Sequence, residues 1–253
     1  MATAHQTGIP AQKAEERFFF KLACSIGLVL IAGFSIQLAA GRSSFAVPPV
    51  YHLHAAVFFG WVALFLVQSF LVSSGNIALH RRLGWLSAVW VPVMVVLAVT
   101  ITVTSLRRTG GPFFFDANEF LFGNCLGALA FGIMVGAAVR MRRRTDWHRR
   151  LMIGAMAAIT GPGWGRLLPT PLLIPYGWEI TNTLGMTFVV AGMLRDKRVN
   201  GAVHPAWWVA LAAGIGWIVV GEVLAYTPWA IEVTRQVMEG FPGAARPMEA
   251  YLP

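Results

Sequence analysis

Residues 80–108 read HRRLGWLSAVWVPVMVVLAVTITVTSLRR, with no charged side chain from Leu83 to Leu106 and a pair of arginines at each edge. A helix that crosses a bilayer needs about 20 mostly apolar residues. Basic residues that stop at both edges of such a run sit where the headgroups are. The same grammar recurs along the chain. Apolar runs at 18–40, 51–73, 83–106, 119–139, 150–168, 176–194 and 205–226 predict seven transmembrane helices in an all-α, polytopic membrane bundle.

Composition agrees. Of 253 residues 57% are hydrophobic and 12% charged, and the mean hydropathy is +0.63. A soluble domain carries about a quarter charged residues, so a soluble enzyme and a disordered chain are excluded. The same composition excludes a secreted disulfide scaffold, and the two cysteines, Cys24 and Cys125, lie in apolar runs and so say nothing about redox compartment. A net charge of +9 raises nucleic acid as a partner, but the basic residues fall in short gaps between apolar runs. Their partner is the lipid bilayer, with anionic lipid against the arginines at 140–150 and no nucleic acid. The first run is too long for a signal-peptide core and lacks a small-residue cleavage site after it.

Alternate gaps carry unequal charge. Lys13, Arg17, Lys21, Arg81, Arg82, the six arginines from Arg140 to Arg150, and Arg195, Lys197 and Arg198 make 14 on one side; Arg42, Arg107, Arg108, Arg166, Arg235 and Arg246 make 6 on the other. The positive-inside rule predicts a cytoplasmic N-terminus in a bacterial inner (cytoplasmic) membrane. Residues 1–16 then form a polar cytoplasmic tail, 17–226 the seven-helix domain and 227–253 an extracytoplasmic tail. In that tail Pro228–Met238 forms an interfacial helix and Phe241–Pro253 is irregular. Gly161-Pro162-Gly163 predicts a kink or early end in the fifth span, and Pro169, Pro171 and Pro175 crowd its connection to the sixth.

Three stretches share a pattern. His80-Arg81-Arg82-Leu83 and His148-Arg149-Arg150-Leu151 are identical, and Asn124-Cys125-Leu126-Gly127 matches Asn182-Thr183-Leu184-Gly185. These recurrences at the openings of successive span pairs predict three tandem helical hairpins after one extra helix.

The predicted topology sorts the polar groups into two sets. Near the outer leaflet fall Gln37, His54, Asn124, Arg166, Glu179, Asn182 and Glu222, a candidate ligand pocket in which Arg166 pairs with Glu179 or Glu222 and His54 titrates beside them. The plainer alternatives are snorkelling of Arg166 and Glu222 to the headgroups and helix-to-helix hydrogen bonding by the two asparagines. At the cytoplasmic openings fall His80, His148 and His204. Imidazoles there suit a transition metal, or the iron of a b-type haem through the pair His80 and His148, with Asp146 orienting His148. A headgroup-facing anchor is the alternative, with Gln68 hydrogen-bonding His80 across the hairpin. No phosphate-binding glycine loop, HExxH motif or nucleophile elbow is present, and no span has an interior lysine for a retinal Schiff base.

The series His54, Gln68, His80-Arg81-Arg82-Leu83-Gly84, then Trp147-His148-Arg149-Arg150-Leu151-Met152 and Arg166 resembles the bacterial multi-pass proteins of the DUF2306 type over roughly residues 48–168. Trp85 departs from the pattern, where a basic residue is commoner. The resemblance implies a helical membrane fold and marks His54, Gln68, His80, His148 and Arg166 as the positions to watch; it supplies no reaction. Three functions fit these residues. One is a membrane redox protein holding haem or a metal through His80 and His148, with His54 at a second site. Another is a non-enzymatic module that binds or senses a small ligand in the outer pocket, and the third is a transporter.

Overall fold

The structure, a computed structural model, describes residues 8–252, with side chains from Gln12 onward; these residues are helical with no strand among them. The predicted tail at 1–16 lies partly outside them, at residues 1–7. Residues 8–16 instead extend the first helix, α1 (Gly8–Ala39). The chain continues through α2 (Pro49–Ser73), α3 (Ile77–Gly84), α4 (Ser87–Thr109), α5 (Ala117–Arg140), α6 (Thr145–Ala158), α7 (Gly161–Leu167), α8 (Gly177–Leu184), α9 (Thr187–Asn200), α10 (Pro205–Ala225) and α11 (Pro228–Met238).

Five of these are long and apolar enough to cross a membrane: α1 from Gln12, α2, α4, α5 and α10. Several helix ends have a local cause. Pro49 and Pro205 open α2 and α10, where a missing N–H costs nothing. Gly110 and Gly201 end α4 and α9 in the left-handed conformation, with φ of 74° at both. The five helices stay apolar on the faces turned away from the bundle, where Val89, Val96, Ile133 and Val223 are exposed. A helix that is apolar all round has no water-facing side.

The other two predicted spans are not continuous helices. The fifth divides into α6 and α7 at Ile159-Thr160, with Pro162 in the first turn of α7. The sixth divides into α8 and α9 at Gly185-Met186. The two interruptions pack on each other. A Cβ on Gly185 would collide with the Ala157 carbonyl and Thr160 Oγ1, and one on Gly161 would collide with the Asn182 amide. The third predicted span is also trimmed, because Trp85-Leu86 separates the short α3 from α4.

The core follows from this arrangement. Helix α6 is buried from Ile153 to Ala158 and touches α1, α5, α9 and α10. Ile26, Trp61, Met94, Phe131, Val189 and Trp207 pack in the same core, each at most 2% exposed. Successive charged and polar positions are thereby carried to two opposite ends. Gln68 and His54 lie near opposite ends of α2, 14 residues apart by number and so about 21 Å along the helix at ~1.5 Å per residue.

Candidate functional site

At one end, α2, α3 and α6 bring Gln68, His80 and His148 together. Asn76 caps α3 by accepting a hydrogen bond from Leu79 N at 3.2 Å, which sets the helix that carries His80. The imidazole rings of His80 and His148 have centres 6.3 Å apart and planes 76° apart. His148 Nδ1 lies 2.8 Å from the Ala138 carbonyl in α5. A carbonyl only accepts, so Nδ1 carries the proton and the lone pair is on Nε2. His80 Nδ1 and Gln68 Oε1 are buried with no hydrogen-bond partner. Burial lowers the pKa of both imidazoles from its ordinary 6.5, and His148 and Arg81 add to the effect at His80. Both rings are therefore held neutral, the form that ligates metals.

His204 does not join them, which corrects the expected three-histidine set. Its Nδ1 caps α10 by accepting from Ala206 N at 3.1 Å, and its Nε2 meets Asp146 Oδ2 at 2.9 Å. Both nitrogens are engaged. Asp146 thus orients His204 rather than His148.

Beside this group runs a network that the sequence reading missed. Arg150 donates to Asp196 through Nε at 2.9 Å and Nη2 at 3.0 Å, and Trp207 Nε1 donates to the same carboxylate at 3.0 Å. Glu15 Oε1 accepts from Arg149 at 2.6 Å and Arg195 at 3.0 Å. Side-chain exposure is 3% for Arg150 and 0% for Asp196, so this is a buried tie between α1, α6, α9 and α10 rather than a headgroup-facing surface. The available signal was a carboxylate inside each basic run, Glu15 (beside Glu16) and Asp196.

At the opposite end the expected pocket divides in two. Gln37 of α1 and Arg166 of α7 form one group. Gln37 Nε2 donates to the Arg166 carbonyl at 3.0 Å, Arg166 Nη1 donates to the Pro162 carbonyl at 2.9 Å, and the guanidinium lies 3.9 Å from the centre of the Phe34 ring. His54 stacks on Phe58 with centres 4.1 Å apart. Glu179 and Glu222 form the other group with Glu119, which the sequence reading overlooked. One carboxylate oxygen from each of the three lies within 4.8 Å of the others. Like charges this close repel and call for a shared proton or a cation between them. The expected ion pair of Arg166 with Glu179 or Glu222 is not formed. The break before α7 turns that helix onto α1, where Gly33 and Gly163 touch backbone to backbone, and this carries Arg166 away from α10.

The two asparagines are structural here. Asn124 Nδ2 donates to the Phe120 carbonyl at 2.7 Å and Asn182 Nδ2 to the Trp178 carbonyl at 2.9 Å, each one turn back on its own helix. The segment after α11, expected to be irregular, contains a short 3-10 helix at Pro242–Ala245 and is fixed to the bundle. Ala117 N donates to the Met248 carbonyl at 2.8 Å, and Arg246 donates to the carbonyls of Gly110, Pro112 and Phe115. Asp116 accepts from Tyr226 Oη at 2.8 Å and from Ala250 N at 2.6 Å. The tail therefore covers the start of α5, one turn from Glu119.

No family model, curated protein or solved structure matches the chain.

Proposed function

We propose that the chain is a seven-span protein of a bacterial inner membrane, with its N-terminus in the cytoplasm. In this reading it is a redox protein that holds a transition metal, as an ion or as the iron of a b-type haem, between His80 and His148. The paired half-helices support the span count. Residues 145–167 (α6 with α7) and 177–200 (α8 with α9) each have a summed contour length of about 35 Å at ~1.5 Å per residue, against a hydrocarbon core of about 30 Å. The 14-to-6 division of Lys and Arg supports the orientation, which puts the histidine pair on the cytoplasmic side. The likeness to DUF2306-type proteins fits the same architecture.

The observation that carries the metal reading is the prepared imidazole pair. His148 is oriented through Nδ1 by a carbonyl, which is how a protein fixes a metal-ligating ring. His80, with a buried and unpartnered nitrogen, has its ring centre 6.3 Å away. With metal–nitrogen bonds of about 2 Å, the two rings are close enough that both would hold one metal atom. The metal would supply the electron chemistry; the helices fix the two rings and hold them neutral.

The test is the absorption spectrum and metal content of the purified protein, before and after addition of haem, copper and zinc. Binding that is lost in His80→Ala and in His148→Ala but kept in His204→Ala is the expected result. A protein that stays colourless and takes up none of the three overturns the reading.

A further inference from the structure

Glu119 is 3% exposed, and its carboxylate is aimed at those of Glu179 and Glu222, with one oxygen of each within 4.8 Å of the others. Among the described residues it receives no hydrogen bond and no ion pair from outside the three. The ion pairs involve Glu15, Asp196, Asp146 and Glu232, all elsewhere. Glu179 Oε2 and Glu222 Oε1 are also buried with no hydrogen-bond partner. Buried carboxylates without a partner are costly. Glu222 adds to the cost, because it stands in the last turn of α10, at the negative end of the helix dipole. Arg246 does not offset it: its fork is spent on the carbonyls of Gly110, Pro112 and Phe115.

The three carboxylates are held together by contacts that leave them no room to separate. Asn118 Nδ2 donates to the Ala225 carbonyl at 3.0 Å and pins the start of α5 to the end of α10. Gly221, next to Glu222, lies against Gly123 of α5, and a Cβ on Gly123 would collide with the Trp178 ring. That ring sets α8 on α5 and so places Glu179 beside Glu119. Asp116 is not a fourth member, since its two oxygens accept from Tyr226 Oη and Ala250 N.

We propose that Glu119, Glu179 and Glu222 bind a divalent cation of the size of calcium between α5, α8 and α10. Three oxygens at most 4.8 Å apart lie on a circle no more than about 2.8 Å in radius, and calcium takes oxygens at about 2.3–2.6 Å. An ion near the centre thus meets all three with little movement. Magnesium needs about 2.0–2.1 Å and near-octahedral geometry, so the helices would have to close further on it. Oxygen donors with no imidazole or thiol among them suit a hard cation. Glu179 and Glu222 are half-buried, and the ion and its remaining water ligands enter from their side.

Thermal unfolding of the full chain in a maltoside detergent, stripped with EDTA and then given calcium, magnesium or sodium chloride at matched ionic strength, tests this. The expected result is a saturable rise in melting temperature with calcium, at lower concentration than with magnesium and absent with sodium. Glu119→Gln and Glu222→Gln keep the shape of the side chain and remove one charge. Each should weaken the apparent calcium affinity at least about tenfold, ~1.4 kcal/mol, while the metal-free variants melt at or above the metal-free wild type, because a repulsion is gone. Terbium, which takes the place of calcium and is excited through Trp178, reads occupancy without reference to stability, and the second variant serves if the first fails to fold. No rise with calcium, a rise equalled by sodium, tighter binding of magnesium, or a calcium response unchanged in both variants overturns the proposal. A metal-free gain in the variants with no calcium response in the wild type overturns it too, and leaves a shared proton in the place of the ion.

Discussion

Asp196 shows how much a single buried carboxylate holds in this chain. It accepts from Arg150 twice, from Trp207 and, at 3.3 Å, from Arg195, with no exposure of its own side chain. Asp196→Asn keeps the shape and removes the counter-charge. An uncompensated buried arginine costs about 3–5 kcal/mol, so this variant is expected to unfold at a clearly lower temperature in detergent. Trp207→Phe should lose only about 1 kcal/mol through the missing donor. Equal melting of Asp196→Asn and wild type would mean that Glu15 alone balances Arg150. The sequence gives little hint of this residue, because Asp196 stands between Arg195 and Lys197 and its partner is 46 positions away. His80 and His148 yield a second prediction at this scale. Their folded pKa values lie below the ordinary 6.5, chiefly through burial, so between the folded and unfolded values the unfolded chain binds more protons. Stability of the metal-free protein should then be flat above pH 6.5 and fall as the pH drops, by up to ~1.4 kcal/mol per pH unit for each ring. Melting temperatures from pH 7.5 to 5 check this, and the double variant His80→Asn/His148→Asn should flatten the curve.

The two interrupted helix pairs are the elements on which the packing turns. Where α6–α7 meets α8–α9, Gly185 lies directly on the Ala157 carbonyl, and no side chain fits between. Gly185→Leu should separate the pairs and cost several kcal/mol, since overpacking alone costs about 1–3 kcal/mol and the displaced turns lose hydrogen bonds as well. Gly136 in α5 has open space where a Cβ would go. Gly136→Ala should be neutral or stabilising by up to ~1 kcal/mol, and comparing the two variants by thermal unfolding isolates the contact from the general effect of glycine. The five long helices were legible because length and apolarity are local properties. Gly161-Pro162-Gly163 also announced the break before α7. The break at Gly185-Met186 had no proline to mark it, and it exists because of a neighbour 28 positions upstream in the chain, Ala157. The same limit explains the divided pocket. The sequence placed Gln37, His54, Arg166, Glu179 and Glu222 at one level, but the side of the bundle each faces depends on how α7 turns after its break.

For the whole molecule, the distribution of polar groups gives the bundle two unlike ends. One end concentrates arginines on buried carboxylates and carries the histidine pair. The other carries Arg166, His54, the three glutamates, and the C-terminal segment folded over the start of α5. Orientation decides which of these faces the cytoplasm, and the 14-to-6 division of Lys and Arg is the physical basis for assigning it, since translocating many basic residues is opposed during insertion. The arginines at 140–150 dominate that count. A reporter fused after Arg144 should therefore be active in the cytoplasm and one fused after Arg108 on the opposite side. Not all six of these arginines are free to act as a topology signal in the folded protein, because Arg149 and Arg150 are paired to Glu15 and Asp196. Arg140, Arg142, Arg143 and Arg144 form no ion pair among the described residues and carry the signal. Replacing those four with glutamine should weaken the orientation, so that the fusion after Arg144 reports a mixed population, whereas replacing Arg149 and Arg150 should lower stability and leave the sidedness unchanged. If instead the wild-type fusions report the reverse sides, the histidine pair faces outward and a cytoplasmic source of electrons or metal for it is ruled out.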